Sequence, residues 1–333
     1  MSMKMIASLL GIAFLLAGSA IAAEPTAEIV NVQKIWDKAP HNAFTDITRY
    51  KDAWYCVFRE GKGHVSPHGA LRVITSKDGK TWESAALLTS DISDLRDAKI
   101  TVTPDNRLML CGAGALLDKT KGSHQSYIWY SENGTDWGEA IPIGDRGYWI
   151  WRITWHDGIA YGVGYRTDNG RERGTRLYRS EDGKNFEVWV PSLRSENSPN
   201  ESSLLFLEDD TAYCLSRREG PDKTAILGTS QPPYKEWTWK DLNVQIGGPQ
   251  LLQLEDGRIV VGGRGYPGGA KTKLWWLDPK SAELTEITTL PSGGDTSYPG
   301  LFQYDGLLWV SYYSSHEGKT SIYLAKVDLP PAK

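Results

Sequence analysis

The chain is 333 residues long and carries 37 Lys and Arg against 41 Asp and Glu, a formal charge of −4 with neither sign gathered into a long run. That balance argues against nucleic acid or an anionic membrane as a partner. Its cysteines, Cys56, Cys111 and Cys214, are odd in number and each lies inside an apolar strand pattern. They read as small buried hydrophobes rather than a disulfide framework.

Residues 5–17 are apolar behind Lys4, and Ala20-Ile21-Ala22 matches a small-x-small cleavage site. This is the pattern of a secretory signal peptide, so residues 1–22 are expected to be removed and the mature chain to be periplasmic or released. No Cys follows the run to carry a lipid anchor. No later run is long and apolar enough to span a membrane.

Residues 27–36 then alternate like a β-strand. Beyond them a short stretch recurs: Ser76-Lys77-Asp78-Gly79-Lys80-Thr81-Trp82, Ser131-Glu132-Asn133-Gly134-Thr135-Asp136-Trp137 and Ser180-Glu181-Asp182-Gly183-Lys184-Asn185-Phe186. The spacing of about fifty residues is that of a four-strand unit with its turns, a propeller blade. Ser and Asp or Asn can bond the local backbone, Gly accepts positive φ, and the aromatic residue covers the turn.

A second series of turns aligns without those motifs: Lys51-Asp52, Asp105-Asn106, Asp157-Gly158, Asp209-Asp210, Asp256-Gly257 and Asp305-Gly306, each between two apolar strands. Six turns predict six blades, although blades four to six lack the clean motif, with Gln231-Pro232-Pro233-Tyr234 and Asp278-Pro279-Lys280-Ser281 near the expected outer turns. The first strand, residues 27–36, is expected to close the last blade. No stretch shows sustained helical periodicity, so the fold class is all-β, a six-bladed β-propeller of four-stranded antiparallel blades in one domain over residues 27–329.

In such a ring the innermost strand of each blade begins, and the second strand ends, at one face of the central channel. Positions at a fixed offset before the turns are Ala43, Asp97, Trp149, Glu201, Gly248 and Ser297; those at a fixed offset after them are Arg59, Ala113, Tyr165, Arg217, Arg264 and Tyr313. Three arginines converging on one cleft suit a carboxylate, sulfate or phosphate. The alternative is that each pairs with an acid such as Glu60, Glu219 or Asp97 to lace the blades together. Asp97, with Arg96 beside it, and Glu201 supply carboxyl groups of the kind glycoside hydrolysis uses. Tyr148, Trp149 and Trp151 offer rings that stack on sugars or pack between sheets.

The repeated motif resembles the Asp-box, or BNR, repeat of the sialidase (neuraminidase) superfamily. That resemblance implies a structural turn on the face away from the active site, with the Ser and Asp of the box not catalytic. It also implies roles for Tyr298 as nucleophile, Glu201 as the base that activates it, Arg217 and Arg264 as two members of a carboxylate-binding arginine triad, and Glu317 as the acid that buttresses the triad. The chain departs from the family pattern at two places. His41-Asn42-Ala43-Phe44-Thr45-Asp46 stands where the first triad arginine is found, leaving Arg59 as the candidate replacement. Gly61-Lys62-Gly63-His64-Val65-Ser66-Pro67-His68-Gly69 stands where the acid/base aspartate is found, leaving His64 or Asp97. Asp46 is a further acid near the mouth.

His64 and His68 are flanked by Gly63, Pro67 and Gly69, which does not suit a helical metal pair. The glycine-rich run from residue 262 to 269 lacks dinucleotide-binding spacing. No cofactor and no metal are expected, and the expected partner is a glycan met by a monomer. Three readings follow: an exo-glycosidase of sialidase type acting on a terminal acidic sugar, a glycosidase using Asp97 and Glu201 as a carboxylate pair on another acidic or sulfated glycan, and a non-catalytic sugar-binding propeller.

Overall fold

The structure, a computed structural model, describes residues 26–168 and 173–332. The expected signal peptide lies outside the described residues. The chain folds as a six-bladed β-propeller in which six four-stranded antiparallel sheets stand around a central axis.

Blade one comprises β2 (His41–Tyr50), β3 (Ala53–Gly61), β4 (Ala70–Ser76) and β5 (Glu83–Leu88). Blade two comprises β6 (Ser93–Val102), β7 (Leu108–Leu116), β8 (His124–Ser131) and β9 (Ile141–Ile143), and blade three β10 (Tyr148–His156), β11 (Ile159–Arg166), β12 (Thr175–Ser180) and β13 (Glu187–Arg194). Blade four is β14 (Pro199–Phe206), β15 (Ala212–Arg218), β16 (Ile226–Ser230) and β17 (Thr238–Asp241), and blade five β18 (Ile246–Gln253), β19 (Ile259–Gly265), β20 (Lys271–Asp278) and β21 (Glu283–Thr289). Blade six takes β22 (Thr296–Tyr304), β23 (Leu307–Ser314) and β24 (Ser321–Asp328) from the end of the chain and its outermost strand, β1 (Glu28–Trp36), from the beginning. β1 pairs antiparallel with β24 from Glu28 opposite Asp328 to Trp36 opposite Ile322.

All six turns read from the sequence join the innermost to the second strand of a blade. Five hold a non-glycine residue at positive φ: Lys51 at 51°, Asn106 at 58°, Asp157 at 47°, Asp210 at 64° and Asp305 at 53°. Asn and Asp tolerate that region because their short side chains bond the local backbone. The three repeated motifs are the turns between the third and fourth strands, where the motif's chemistry is visible. Ser76 Oγ accepts the Gly79 amide at 2.9 Å, and Asp78 Oδ1 accepts those of Lys80 and Thr81 at 2.8 and 2.9 Å. The amides of Thr81 and Lys80 hold the exposed Asp78 carboxyl down at about 2.

Glycine is required in these turns twice over. Gly79 and Gly134 have φ of 68° and 79°, and a Cβ at either would lie 2.4 Å from Trp309 of blade six or 2.1 Å from Tyr55 of blade one. Each turn therefore seats on an aromatic ring of the preceding blade. In blade four Tyr234, at φ 62°, does the same by packing edge-on against Tyr161 of blade three at 5.6 Å. Apolar clusters fill the spaces between blades, and all three cysteines are buried and free. Trp54 of blade one stacks on Trp309 of blade six at 4.1 Å across the closure. Among the described residues no helix is long and apolar enough to cross a membrane.

Candidate functional site

Every innermost strand carries a β-bulge at the same height. The register slips between Ala43 and Asp46, Arg96 and Lys99, Ile150 and Ile153, Pro199 and Ser202, Gly247 and Gln250, and Ser297 and Gly300. A bulge re-aims its side chains, and here six of them turn residues toward one axis. Phe44, Asp97, Gly248 and Tyr298 take positive φ of 64°, 51°, 57° and 50° within it. Strain of this kind in Phe, Asp and Tyr is held only where surrounding packing enforces it. The fixed offsets of the sequence reading land on the bulge at Asp97, Glu201 and Gly248. In blades one, three and six the bulge residues are Phe44, Trp151 and Tyr298 rather than Ala43, Trp149 and Ser297, because in those strands the bulge stands one or two residues nearer the turn that follows.

Tyr298 is the centre of this ring. Its hydroxyl donates to Glu201 Oε1 at 2.5 Å, and Arg217 Nη1 lies 2.8 Å from Glu201 Oε2 and 3.1 Å from the Tyr298 oxygen. The amide of Gly248 completes the set with a 2.9 Å bond to Glu201 Oε2. Gly248 must be glycine, since a Cβ there would meet the Tyr298 ring at 2.7 Å. Burial alone would raise the Glu201 carboxyl, but Arg217, the Tyr298 hydroxyl and Arg264 outweigh it and hold the group below the usual carboxylate value. Burial and the Glu201 charge push Tyr298 well above 10, only partly opposed by Arg217 and Arg264. The resting pair is a neutral phenol hydrogen-bonded to a charged carboxylate.

Arg264 stands over the Tyr298 ring, 5.2 Å from its centroid, fixed by Nε to the carbonyl of Thr296 at 2.8 Å and Nη2 to the Tyr313 hydroxyl at 2.9 Å. On the opposite side, Trp151 Nε1 donates to Asp97 Oδ2 at 3.1 Å while its ring packs 6.0 Å from that of Tyr298. Burial, with Glu201 adding, pushes the Asp97 carboxyl up to about 6 against the pull of Lys99. Two buried carboxyls thus part company: Glu201 stays ionised and Asp97 holds a proton in mildly acid solution. Lys99, missed in the sequence, donates to the carbonyl of Thr45 at 2.9 Å beneath the Trp151 ring. Burial and Arg152, opposed by Asp46, bring its ammonium down to about 8.

Other residues singled out in the sequence sit elsewhere. Arg59 does not reach the channel: its wholly buried guanidinium is spent on Asp94, the carbonyls of Gly63, Leu95 and Ser66, and Ser66 Oγ. It braces the loop after β3 and cannot stand in for a triad arginine. Arg96 forks onto the other oxygen of Asp94 at 2.6 Å. Asp46 is buried against Arg152 at 2.7 Å and the Ile100 amide at 3.0 Å, lacing blade one to blades two and three. Trp149 is half of a stack with Tyr165, 5.8 Å between centroids, beside rather than within the bulge ring. Glu317 does not buttress the arginines; its carboxylate pairs with Lys34 at 2.8 Å and accepts the Tyr323 hydroxyl at 2.9 Å on the exterior.

His64 lies at the mouth, and its Nδ1 is 2.8 Å from Asp295 Oδ2. The same oxygen is 2.9 Å from Nε2 of His41, and the other, Oδ1, accepts the Tyr313 hydroxyl at 2.9 Å. Asp295 therefore takes the place beside Arg264 that the sequence reading assigned to Glu317, at 3.9 Å from its guanidinium. It sits in the loop before β22, outside any repeat position, so no offset could find it. A cleft of about 700 Å³ lined by Arg179, Asp182 and Phe186 lies at the outer turn of blade three, but none of these converging groups reaches it.

No family model and no curated protein matches the chain. Solved structures do. A Dyadobacter fermentans protein of unknown function superposes with a TM-score of 0.82 at 20% identity, covering 92% of this chain and 100% of that one. The α-L-arabinanase of Penicillium chrysogenum, solved with arabinobiose, gives 0.69 at 14% identity over 90% and 98%. Trypanosoma rangeli sialidase, solved with 2,3-difluorosialic acid as a covalent intermediate, gives 0.64 at 14% identity over 86% of this chain and 54% of that one. The chain spans about half of that sialidase. At such identities the likeness is one of fold: the chain has the propeller architecture on which these glycoside hydrolases are built.

Proposed function

We propose that this protein is a retaining exo-glycosidase that removes a terminal acidic sugar, sialic acid or a related carboxylated sugar, from a glycan. The observation that carries the reading is the Tyr298–Glu201–Arg217 network, in which a buried neutral phenol donates at 2.5 Å to a carboxylate kept charged by a guanidinium. As Tyr298 Oη attacks the anomeric carbon, its proton passes to Glu201, the glycosidic bond breaks, and the departing oxygen takes a proton from Asp97. Water then attacks the glycosyl-tyrosine, giving its proton to the Asp97 carboxylate, and Tyr298 recovers its own from Glu201. A neutral nucleophile suits a sugar bearing a carboxylate next to the reacting carbon. The covalent intermediate described for the Trypanosoma rangeli sialidase supports this chemistry. Arg264, over the Tyr298 ring, is the group placed to take the substrate's carboxylate.

One observation favours a second reading. Phe44 occupies the blade-one bulge and packs on Tyr298 at 5.2 Å, so an apolar ring faces the sugar there. A neutral furanoside of the arabinan type, as in the Penicillium enzyme, fits that surface. The deciding experiment is hydrolysis of aryl α-sialosides, α- and β-glucuronides and α-L-arabinofuranosides by wild type and by Tyr298→Phe, with intact-mass detection of a glycosyl adduct on a 2-fluoro sugar. Loss of turnover and of the adduct in the variant is expected. Undiminished turnover by Tyr298→Phe would overturn the mechanism. By its leader the enzyme works outside the cytoplasm, with cleavage after Ala22, which N-terminal sequencing of the native protein checks.

A further inference from the structure

Three groups at the mouth take no part in that mechanism and have a geometry of their own. His41 opens β2, His64 rides the loop after β3, and Asp295 ends the loop before β22, yet His41 Nε2, His64 Nδ1 and an Asp295 oxygen all lie within 4.8 Å of one another. Both imidazoles aim at one oxygen, Oδ2, at 2.9 and 2.8 Å. The other oxygen is reserved by the Tyr313 hydroxyl, itself held by Arg264. A carboxylate with one oxygen oriented from behind and the other presented between two imidazoles is the outer-shell arrangement that steadies a metal ligand.

We propose that His41, His64 and Asp295 bind a divalent cation of the zinc type, and that its remaining coordination positions take the carboxylate of the sugar. Two imidazoles and one carboxylate are a borderline-soft donor set that suits zinc and leaves a position open for water or substrate. Tetrahedral ligands at bonding distance stand about 3.4 Å apart, so the two short contacts need to open by only a few tenths of an ångström. His64, whose side chain is 53% exposed, has the room to move, whereas His41 at 9% is held in place. Phe44 packs edge-on against His64 at 5.1 Å and also touches Tyr298 and Tyr313, so the cation is one ring removed from the nucleophile.

That position has a meaning. Blade one offers Phe44 and the spent Arg59, so no guanidinium enters the channel from its side. The cation supplies positive charge from the same quarter, and the substrate carboxylate relieves its repulsion with Arg264, whose guanidinium is 3.9 Å from Asp295. This last step rests on the acidic-sugar reading; the metal site itself does not.

The test is calorimetric titration of zinc chloride into chelator-treated protein, for wild type, His64→Gln, His41→Gln, Asp295→Asn and a control, His156→Gln. His156 belongs to the other cluster of possible ligands among the described residues, with Asp157 and Asp210. One zinc per chain is expected, with affinity lowered by more than about 100-fold in each of the three site variants, beyond what outer-shell changes cost. His156→Gln is expected to bind as wild type. Cobalt substitution gives a second readout, a visible absorption band lost in His64→Gln, whose exposed side chain can change without disturbing the fold. Titration of free N-acetylneuraminic and glucuronic acids with and without zinc then reads the coupling, expected to exceed about fivefold. No zinc binding, or equal binding by His64→Gln, overturns the site whatever the enzyme hydrolyses. Zinc binding that leaves both sugar acids unaffected overturns its role toward substrate.

Discussion

Asp97→Asn is the sharpest perturbation, because it changes one charge and almost no shape. Asn retains an oxygen to accept Trp151 Nε1, now 3.1 Å from Asp97 Oδ2. The carboxyl is raised from 3.8 to about 6 by burial, so the native state binds more protons than the unfolded chain between those values. Stability therefore falls as pH rises through that window. The shift of about two units corresponds to roughly 3 kcal/mol, present as a penalty above pH 6 and absent below pH 4. Part of this is offset, because the Asp97 charge also steadies the buried Lys99, whose ammonium would drop further without it. A net gain of about 1–2 kcal/mol is expected for Asp97→Asn at pH 8 and none at pH 4, or roughly 1.5–3 °C in Tm for a chain of this size. Thermal unfolding of both proteins at the two pH values reads it. A variant that is less stable than wild type at pH 8, or equally shifted at both, would refute the assignment of a desolvated, proton-holding carboxyl. The same substitution is expected to slow hydrolysis of alkyl glycosides by about 10²–10⁴-fold, and that of activated aryl glycosides less, while abolishing the fall in rate above pH 6.

Arg217→Met leaves Glu201 charged and buried without its partner, and a loss of about 3 kcal/mol is expected in urea titrations at pH 8. The Glu201 value, held low by Arg217, rises in the variant, so the deficit shrinks toward pH 4 as the carboxyl takes a proton; a deficit independent of pH would argue against the pairing. Adding Glu201→Gln to Arg217→Met is expected to restore part of the loss, the mark of a coupled pair. In the outer turn of blade three, Asp182 accepts the amides of Lys184 and Asn185 at 2.8 and 2.7 Å, and Asp182→Ala is expected to cost about 1–2 kcal/mol in urea with kcat/KM unchanged. A fall in kcat/KM would mean that these turns do more than shape the blade. Removal of residues 26–36 exposes the edge of β24 and is expected to abolish cooperative unfolding by circular dichroism; a chain that still melts sharply would show that closure is dispensable.

The blades were legible because they rest on local chemistry. A turn that needs positive φ favours Gly, Asn or Asp, as Asn106, Asp157, Asp210, Gly257 and Asp305 show, with Lys51 of blade one the exception. The strand alternation of residues 27–36 likewise sufficed to place β1. Glu201, Asp97, Arg217 and Arg264 were also within reach, since each projects from a repeat position of an inner or second strand, and Tyr298 adjoins one, Ser297. Arg59 misled because a carboxylate of the neighbouring blade, Asp94 on β6, captures its guanidinium before it can reach the axis. Asp295 and His41 could not be read at all: they meet His64 only because the last blade folds back against the first. Glu317 shows the reverse error, an acid in the loop between β23 and β24 that turns outward to Lys34 and Tyr323. Periodicity finds what strands carry, and loops escape it.

The join between blades six and one has a consequence for when the residues around Tyr298 come together. Tyr298, Glu201 and Arg217 belong to the later blades, while Asp97, Lys99, Phe44 and His64 belong to the first two. Thr45 Oγ1 bonds the carbonyl of Tyr298 at 3.0 Å, and His41 meets Asp295, only across that seam. On the proposed mechanism, a chain whose ends have not yet met holds Tyr298 with no proton donor opposite it. Because β1 and β24 pair residues from opposite ends of the sequence, this meeting is the slowest kind of contact to form. The seam that seals the ring is thus also the line along which Phe44 and His41 of the first blade meet Tyr298 and Asp295 at the start of the last.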